Sequence, residues 1–221
     1  MSGLFANIVW SDIWQATLDT LVMLGASLAL TIALGIPLGV LLFLTGTGQL
    51  AESRLLNRLI GMAVNVLRSV PFVILLIVMI PLTLLVMGTS LGVAGAIPPL
   101  VVGAAPFYAR LVEGALREVP RVTVEATQAM GASRLQIVVK ALLPEALPGL
   151  IAGATVTAVA LVSFTAMAGV VGAGGLGDLA IRYGYQRFQT DVMLVTVALM
   201  VLLVQLIQFA GDRLARHFDH R

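Results

Sequence analysis

The fold is decided by the stretch Ser69–Ala109, SVPFVILLIVMIPLTLLVMGTSLGVAGAIPPLVVGAAPFYA, whose 41 residues include no Asp, Glu, Lys or Arg. A helix that crosses the hydrocarbon core of a bilayer needs about 20 apolar residues. This stretch is too long for one such helix and suits two, joined at Gly88-Thr89-Ser90, where small polar residues interrupt the apolar run. It therefore predicts membrane spans near residues 70–88 and 91–109.

Three more charge-free stretches are each long enough for one span. They are Thr20–Ala51, Ala146–Gly177 and Val192–Gly211. They predict spans near 20–44, 149–171 and 192–211. The sequence thus predicts an all-α membrane protein with five transmembrane helices, forming a single transmembrane domain over residues 1–221.

The composition excludes several classes of protein. Of 221 residues, 59% are hydrophobic and 11% are charged, and the mean hydropathy is +1.04. A soluble domain has about 25% charged residues. The net charge of +2 is too small to indicate nucleic-acid binding. There is no cysteine, which excludes disulfides, thiolate catalysis and cysteine-bound metals.

The basic residues predict the orientation in the membrane. With the C-terminal tail counted as a connection, alternate connections hold 11 and 2 of the 13 Lys and Arg residues, and the two are Arg182 and Arg187. Cytoplasmic connections carry the excess of basic residues in membrane proteins. We therefore expect the N-terminus outside and the C-terminus in the cytoplasm.

The predicted spans have no charge at their centres. Proton-driven carriers and voltage sensors usually place ionisable groups inside the bilayer. If this protein transports a substrate, the energy therefore enters through another polypeptide. The spans contain six prolines, which together suggest helices bent around a pathway: Pro37, Pro71, Pro81, Pro98, Pro99 and Pro106.

The cytoplasmic connection predicts two short helices joined by a tight turn. Pro120 suits the first turn of a helix, and Gly131 suits its left-handed end. Ser133 and Gln136 have the spacing of a capping box, which begins a second helix. The apolar residues Leu135, Val138, Val139 and Leu142 form one face of that helix. This face either packs on the protein's own bundle or is offered to a partner, and both interpretations remain open.

This connection resembles the EAA loop of bacterial ABC importer permeases. That motif is Glu-Ala-Ala, three residues, Gly, nine residues, Ile, one residue, Leu-Pro, and this sequence departs from it at two positions, Thr127 and Ala141. The matching positions are Glu125, Ala126, Thr127, Gly131, Ala141, Leu143 and Pro144. The resemblance implies that the loop, residues 120–144, docks into a groove of a separate ATP-hydrolysing subunit.

A wider resemblance links the chain to the permeases of methionine importers. It is carried by Arg68-Ser69-Val70-Pro71-Phe72, residues 103–107, 142–149 and 171–177, and Tyr183-Gly184-Tyr185. It implies a type I ABC importer permease in the bacterial cytoplasmic (inner) membrane. The implied assembly is a homodimer with two ATPase subunits, which hold ATP and Mg²⁺, and an external lipoprotein that delivers methionine. Methionine as the substrate depends on the resemblance alone.

The fourth predicted span contains residues suited to a pathway. Met167 could act as a soft gate, and the hydroxyls of Ser163 and Thr165 could donate hydrogen bonds, although a methionine at this depth is more often lipid-facing or core filler. The spacings Gly35…Gly39 and Gly149…Gly153 predict close helix approach.

Two further residue patterns do not indicate a catalytic or ligand-binding site. Residues 172–177 match the dinucleotide pattern G-x-G-x-x-G, but they follow a membrane span and are expected outside the cell, so we interpret them as an outer turn. His217 and His220 are interpreted as part of a solvated tail. We therefore predict no catalytic residue, no metal site and no cofactor in this chain. The alternatives are a permease for another small substrate, a channel, or a membrane scaffold or enzyme.

Overall fold

Residues 8–219, which the computed structural model describes, form helices joined by short turns. The N-terminal half contains α1 (Trp10–Thr45), α2 (Arg54–Ser69), α3 (Phe72–Val78), α4 (Ile80–Met87) and α5 (Gly92–Arg117). It is followed by α6 (Arg121–Ala129), α7 (Arg134–Ile137), the π-helical segment π1 (Val138–Leu142) and α8 (Leu143–Glu145). The chain ends with α9 (Leu147–Gly169), α10 (Gly175–Leu179), the π-helical segment π2 (Ala180–Tyr185) and α11 (Thr190–Phe218).

Four helices of the described chain are long and apolar enough to cross a membrane on their own. They are α1, α5, α9 and α11. A fifth crossing is formed if α2 and α3, which are bent by 101° relative to each other, count as one broken span. The predicted span near 70–88 is divided into α3 and α4, which are separated at Met79, so it is not one straight helix.

Prolines explain the interruption of that span. Pro71 lies between α2 and α3 with extended backbone torsion angles (φ −57°, ψ 133°), and Pro81 lies in the first turn of α4. Proline has no backbone N–H, so it suits the first turn of a helix and removes a hydrogen bond from a helix interior. Each proline thus begins a new short helix, and Gly88 ends α4 in the left-handed conformation (φ +72°).

The first helix is longer than the membrane requires. At about 1.5 Å per residue, the 36 residues of α1 extend about 54 Å, against a hydrocarbon core of about 30 Å. The predicted span 20–44 covers only its second part. Residues 10–19, with Asp12 and Asp19, extend the helix beyond the apolar stretch.

Helix α5 lies at the centre of the bundle, and glycines allow its neighbours to approach it closely. A Cβ atom added to Gly35 or Gly39 of α1 would lie 2.6 Å from Cδ1 of Tyr108 or 2.5 Å from Cβ of Val112. A Cβ atom on Gly149 of α9 would lie 2.9 Å from Cβ of Ala115. Such distances leave no room for a side chain, so both glycine pairs predicted from the sequence bring helices of this chain together.

The helix ends separate into two groups at opposite ends of the bundle. At one end, Phe43 of α1, Leu116 of α5 and Ile137 of α7 share one buried cluster. At the other end, the N–H of Gly92 donates to the carbonyl of Gly172 (2.9 Å), and the N–H of Leu176 donates to Oγ1 of Thr20 (2.9 Å). We call these the hairpin end and the outer end, which correspond to the cytoplasmic and external sides predicted from the charges.

We expect Gly39→Leu to lower the free energy of unfolding by about 2 kcal/mol or more, because the new side chain overlaps Val112 of α5. The control is Gly25→Leu on the same helix, where nothing lies within 4 Å of an added Cβ atom. The measurement is thermal unfolding of both variants in detergent. Equal unfolding temperatures would contradict the packing of α1 on α5.

Candidate coupling hairpin and pathway groove

The connection between α5 and α9 begins with a helical hairpin. Helix α6 ends at Ala129, and Gly131 turns the chain with a φ of +80° and no heavy atom within 4 Å of where a Cβ would be. The capping box predicted at Ser133 is present: its N–H donates to Oε1 of Gln136 (2.8 Å), and its Oγ accepts from the N–H of Gln136 (3.4 Å). We call residues 121–145 the coupling hairpin.

The inner face of the coupling hairpin is part of the bundle's core. Ile137, Val138 and Leu142 are buried in one cluster with Phe43 of α1 and Leu116 of α5. The same cluster includes Tyr108, Val112 and Leu150, so it joins the hairpin to α1, α5 and α9. These contacts fix the hairpin's base to the three helices that contact it.

The outer face of the coupling hairpin exposes large apolar side chains among polar and charged ones. Met130 is 80% exposed, Val122, Leu135 and Val139 are also exposed, and α6 has no buried residue. The apolar face predicted for the second helix is therefore divided between two directions. Val138 and Leu142 face the core, where Ile137 and Ala141 complete the buried surface, whereas Leu135 and Val139 face outward.

The seven residues of the EAA resemblance occupy the tip and the base of the hairpin. Glu125, Ala126 and Gly131 are exposed at the tip. Thr127 is half-buried, and its Oγ1 donates to the carbonyl of Thr123 (2.7 Å), which satisfies the hydroxyl locally. At the base, Ala141 is buried, Leu143 is half-buried and Pro144 is exposed.

Pro144 does not end the helical path that begins at Arg134. The chain continues from π1 through α8 into α9, with only Ala146 between them. The N–H of Leu143 donates to the carbonyl of Val138, five residues earlier, in the wider π-helical turn. A π-bulge accommodates the missing N–H of a proline without breaking the helix. The coupling hairpin is thereby continuous with α9.

A buried ion cluster lies near the hairpin end of α5. Oε2 and Oε1 of Glu113 accept from Nη1 of Arg110 and Nη2 of Arg117, both at 2.7 Å. Arg110 also donates through Nη2 to the carbonyl of Gly61 (3.2 Å) and to Oδ1 of Asn65 (3.0 Å). Glu113 thus orients the arginine that links α5 to α2. The sequence analysis missed this role, although Glu113 has arginines at i−3 and i+4.

A polar cavity separates the coupling hairpin from the turn between α1 and α2. Its volume is about 550 Å³, and its charged lining residues are Arg117, Arg121, Glu125 and Arg134. In the adjoining turn, the N–H of Gly48 donates to Oε2 of Glu52 (3.0 Å). This hydrogen bond, together with Arg54, lowers the pKa of the Glu52 carboxyl.

Two of the three pathway candidates lie together. A groove of about 530 Å³ between α9 and α11 is lined by Ser163 and Met167 of α9 and by Met200, Val204 and Gln205 of α11. Thr165 is not part of it. Thr165 is buried, and its Oγ1 donates to the carbonyl of Val162 (2.8 Å). We call this surface the α9–α11 groove.

The structure shows no metal cluster within residues 8–219, where no three His, Cys, Asp or Glu side chains converge. His220 lies outside the described residues. The described chain contains a set of apolar spans around α5, together with a hairpin that leaves apolar side chains exposed. This arrangement is that of a multispan membrane protein with an uncovered hairpin at one end.

Comparison with known proteins identifies the family. The binding-protein-dependent transport system inner membrane component family matches residues 35–221. The probable D-methionine transport system permease protein MetI of Vibrio cholerae is 54% identical over 206 residues, which cover 93% of this chain and 92% of that protein. The methionine import system permease protein MetP of Bacillus subtilis is 46% identical, with 98% of each chain covered. The chain belongs to this permease family.

Solved structures confirm the fold. A chain of the MetNI methionine ABC transporter, solved in an inward-facing conformation, matches with a TM-score of 0.94 and 48% identity, covering 96% of this chain and 98% of that one. An amino acid ABC transporter crystallised with histidines matches with a TM-score of 0.76 at 12% identity, which shows the shared fold alone. The prediction of an all-α ABC importer permease fold is confirmed.

We expect Glu113→Ala to destabilise the protein by about 2 kcal/mol, because it removes the carboxylate that accepts charge-assisted hydrogen bonds from Arg110 and Arg117. The control is Glu52→Ala, which removes an exposed ion pair with Arg54 and should have little effect. Thermal unfolding in detergent compares the two. A smaller effect for Glu113→Ala than for the control would show that the cluster does not hold α5 to α2.

Proposed function

We propose that this chain is the permease subunit of an ATP-driven importer of methionine in the bacterial cytoplasmic membrane. The observation that carries the proposal is its similarity, at 44–54% identity, to proteins named as methionine permeases. Two copies would enclose the pathway, two ATPase subunits would bind ATP and Mg²⁺, and an external lipoprotein would deliver methionine. This chain would contribute no catalytic group, cofactor or metal.

The coupling hairpin would transmit movement as a rigid lever. Its uncovered outer face, with Met130 and Leu135, suits an apolar groove on an ATPase subunit, while Glu125 and Ala126 at the tip allow a charged contact and a close approach. Its inner face moves with α1, α5 and α9 because it shares their core. ATP binding would shift the permease between two conformations if the docked ATPases contact the hairpin differently in each.

The α9–α11 groove would form part of the pathway. Its lining is mostly apolar, with Ser163 and Gln205 as polar exceptions, which suits an amino acid whose side chain is a thioether. Met167 is 41% exposed and extends into the groove, where its flexible side chain could narrow or open the passage. Thr165 would support α9 from inside the bundle.

We expect Gly131→Trp to abolish coupling while leaving the protein in the membrane. The bulky side chain stands at the tip of the hairpin, where it would prevent close approach of an ATPase subunit. In proteoliposomes containing the complete transporter, methionine uptake should fall at least about tenfold, whereas ATP hydrolysis should fall less.

The matched control for this experiment is Gly88→Trp. Gly88 has a similar φ (+72°, against +80° for Gly131) and nothing within 4 Å of an added Cβ, but it lies at the outer end. The control therefore has the same backbone strain and bulk without touching the hairpin. Normal uptake by Gly131→Trp, or equal loss in both variants, would contradict the lever.

The pathway is tested by cysteine accessibility, because the natural sequence has no cysteine. We expect a charged, water-soluble thiol reagent to label Ser163→Cys and Met167→Cys, and methionine to slow that labelling. Thr165→Cys, which is buried, and Leu202→Cys, which is exposed on α11 away from the groove, should react at least about tenfold more slowly. Equal labelling at Leu202 and Met167 would exclude the groove as a water-filled path.

A further inference from the structure

The segment between α10 and α11 presents aromatic side chains at the outer end of the bundle. It consists of π2 and the four residues that follow, 180–189, and we call it the outer turn. Phe188 is 86% exposed and Tyr185 is 71% exposed. Aromatic side chains that are this exposed to solvent are typical of protein interfaces or of the membrane boundary.

Charged side chains hold the outer turn in shape. The guanidinium groups of Arg182 and Arg187 lie 5.7 and 4.5 Å from the centre of the Tyr183 ring. Arg182 also donates through Nε to Oδ1 of Asp178 (2.7 Å), and this hydrogen bond raises the pKa of Arg182. Because the carboxylate of Asp178 is buried, it fixes one arginine, and Arg187 remains at the surface beside Phe188.

Phe188 is held in an unfavourable backbone conformation. Its φ is +56°, and no other residue of 8–219 except glycine has a positive φ. A bulky residue rarely adopts this region, and such strain persists only where the surroundings impose it. Here the N–H of Gln189 donates to the carbonyl of Tyr183 (3.1 Å), which closes the turn around Phe188. The fold thus presents this ring at an energetic cost that a glycine would avoid.

Helix α10, which leads directly into the outer turn, packs on α9 through glycine contacts. A Cβ atom on Gly177 would lie 2.4 Å from Cα of Ala166, and one on Gly169 would lie 2.4 Å from the N atom of Asp178. These contacts are on either side of Met167 in the α9–α11 groove. A protein that pressed on the outer turn would therefore act on the helix that we propose to gate the pathway.

We propose that the outer turn is the docking element for the external binding protein, with Phe188 and Tyr185 entering an apolar recess and Arg187 meeting carboxylates beside it. This proposal rests on the proposed function. The family is described as binding-protein-dependent, which requires a contact at the outer end. Tyrosine and arginine are the residue types enriched where binding energy concentrates, and the strained Phe188 is left 86% exposed by the described part of its chain.

The test measures binding of the purified binding protein to the complete transporter in nanodiscs. Phe188→Gly removes the ring and relieves the backbone strain, so the fold should be at least as stable, yet Kd should rise about tenfold or more. Arg187→Glu should also raise Kd, and the increase should be larger at low salt than at high salt. The control Phe209→Ala removes an exposed ring from the membrane-spanning part of α11 and should leave Kd unchanged.

A tryptophan reporter distinguishes a protein interface from a membrane anchor. In a background of Trp10→Phe and Trp14→Phe, the emission of Phe188→Trp should shift when the binding protein is added and should not be quenched by brominated lipids. Quenching by lipid without response to the binding protein would overturn the proposal, as would an unchanged Kd for Phe188→Gly.

The same preparation separates this inference from the proposed function. If the wild-type complex does not assemble with its ATPase, or if its ATP hydrolysis does not respond to the binding protein, the proposed function fails. If the wild type responds and Phe188→Gly responds with the same half-saturating concentration, only the docking element fails. Saturating binding protein should restore full stimulation of Phe188→Gly, because the change affects docking and leaves α9 intact.

Discussion

The packing of Ile137, Val138 and Leu142 into the core formed by α1, α5 and α9 is the contact on which the rest of this structure depends. A hairpin attached by polar surface contacts could move without moving the bundle. Since these side chains are buried at close-packed density, displacing the hairpin requires the neighbouring helices to move with it or the core to open. Residues 8–219 leave the hairpin's other face uncovered, and this division into a buried and an uncovered face makes the hairpin suitable for transmitting force.

The long helices have different roles in transmitting this force. Helix α5 is the fixed centre, because Gly35 and Gly39 bring α1 against it, and Arg110 joins it to α2 at the bundle's hairpin end. Helix α9 continues directly from the coupling hairpin and meets α10 at the outer end through Gly169 and Gly177. One helix thus connects both surfaces at which we propose that partners dock, and the pathway groove lies between them. Helix α11 closes one wall of that groove and is otherwise mostly exposed.

The sequence predicted much of this arrangement, for physical reasons. Charge-free stretches mark the spans because charges are costly in lipid, and the capping box and Gly131 mark the hairpin because their backbone requirements are local. The division of the hairpin's faces was not predictable from periodicity, since Leu135 and Val138 are equally apolar and only the shape of the bundle decides which is buried. The break at Pro71 is set by the proline itself, but the 101° angle between α2 and α3 and the hydrogen bonds from Arg110 to α2 depend on neighbours distant in sequence. The strained turn at Phe188 is closed by a local hydrogen bond from Gln189 to Tyr183, but a phenylalanine does not indicate a positive φ in a sequence.

The most direct measurement of the central claim is photocrosslinking from the coupling hairpin in intact membranes. A photoreactive amino acid at Met130, on the uncovered outer face, should capture the ATPase subunit in high yield. The same group at Val138, on the inner face, should crosslink only within the permease. Capture of the ATPase from neither position, or equally from both, would contradict the claim that the hairpin faces the bundle on one side and the ATPase subunit on the other.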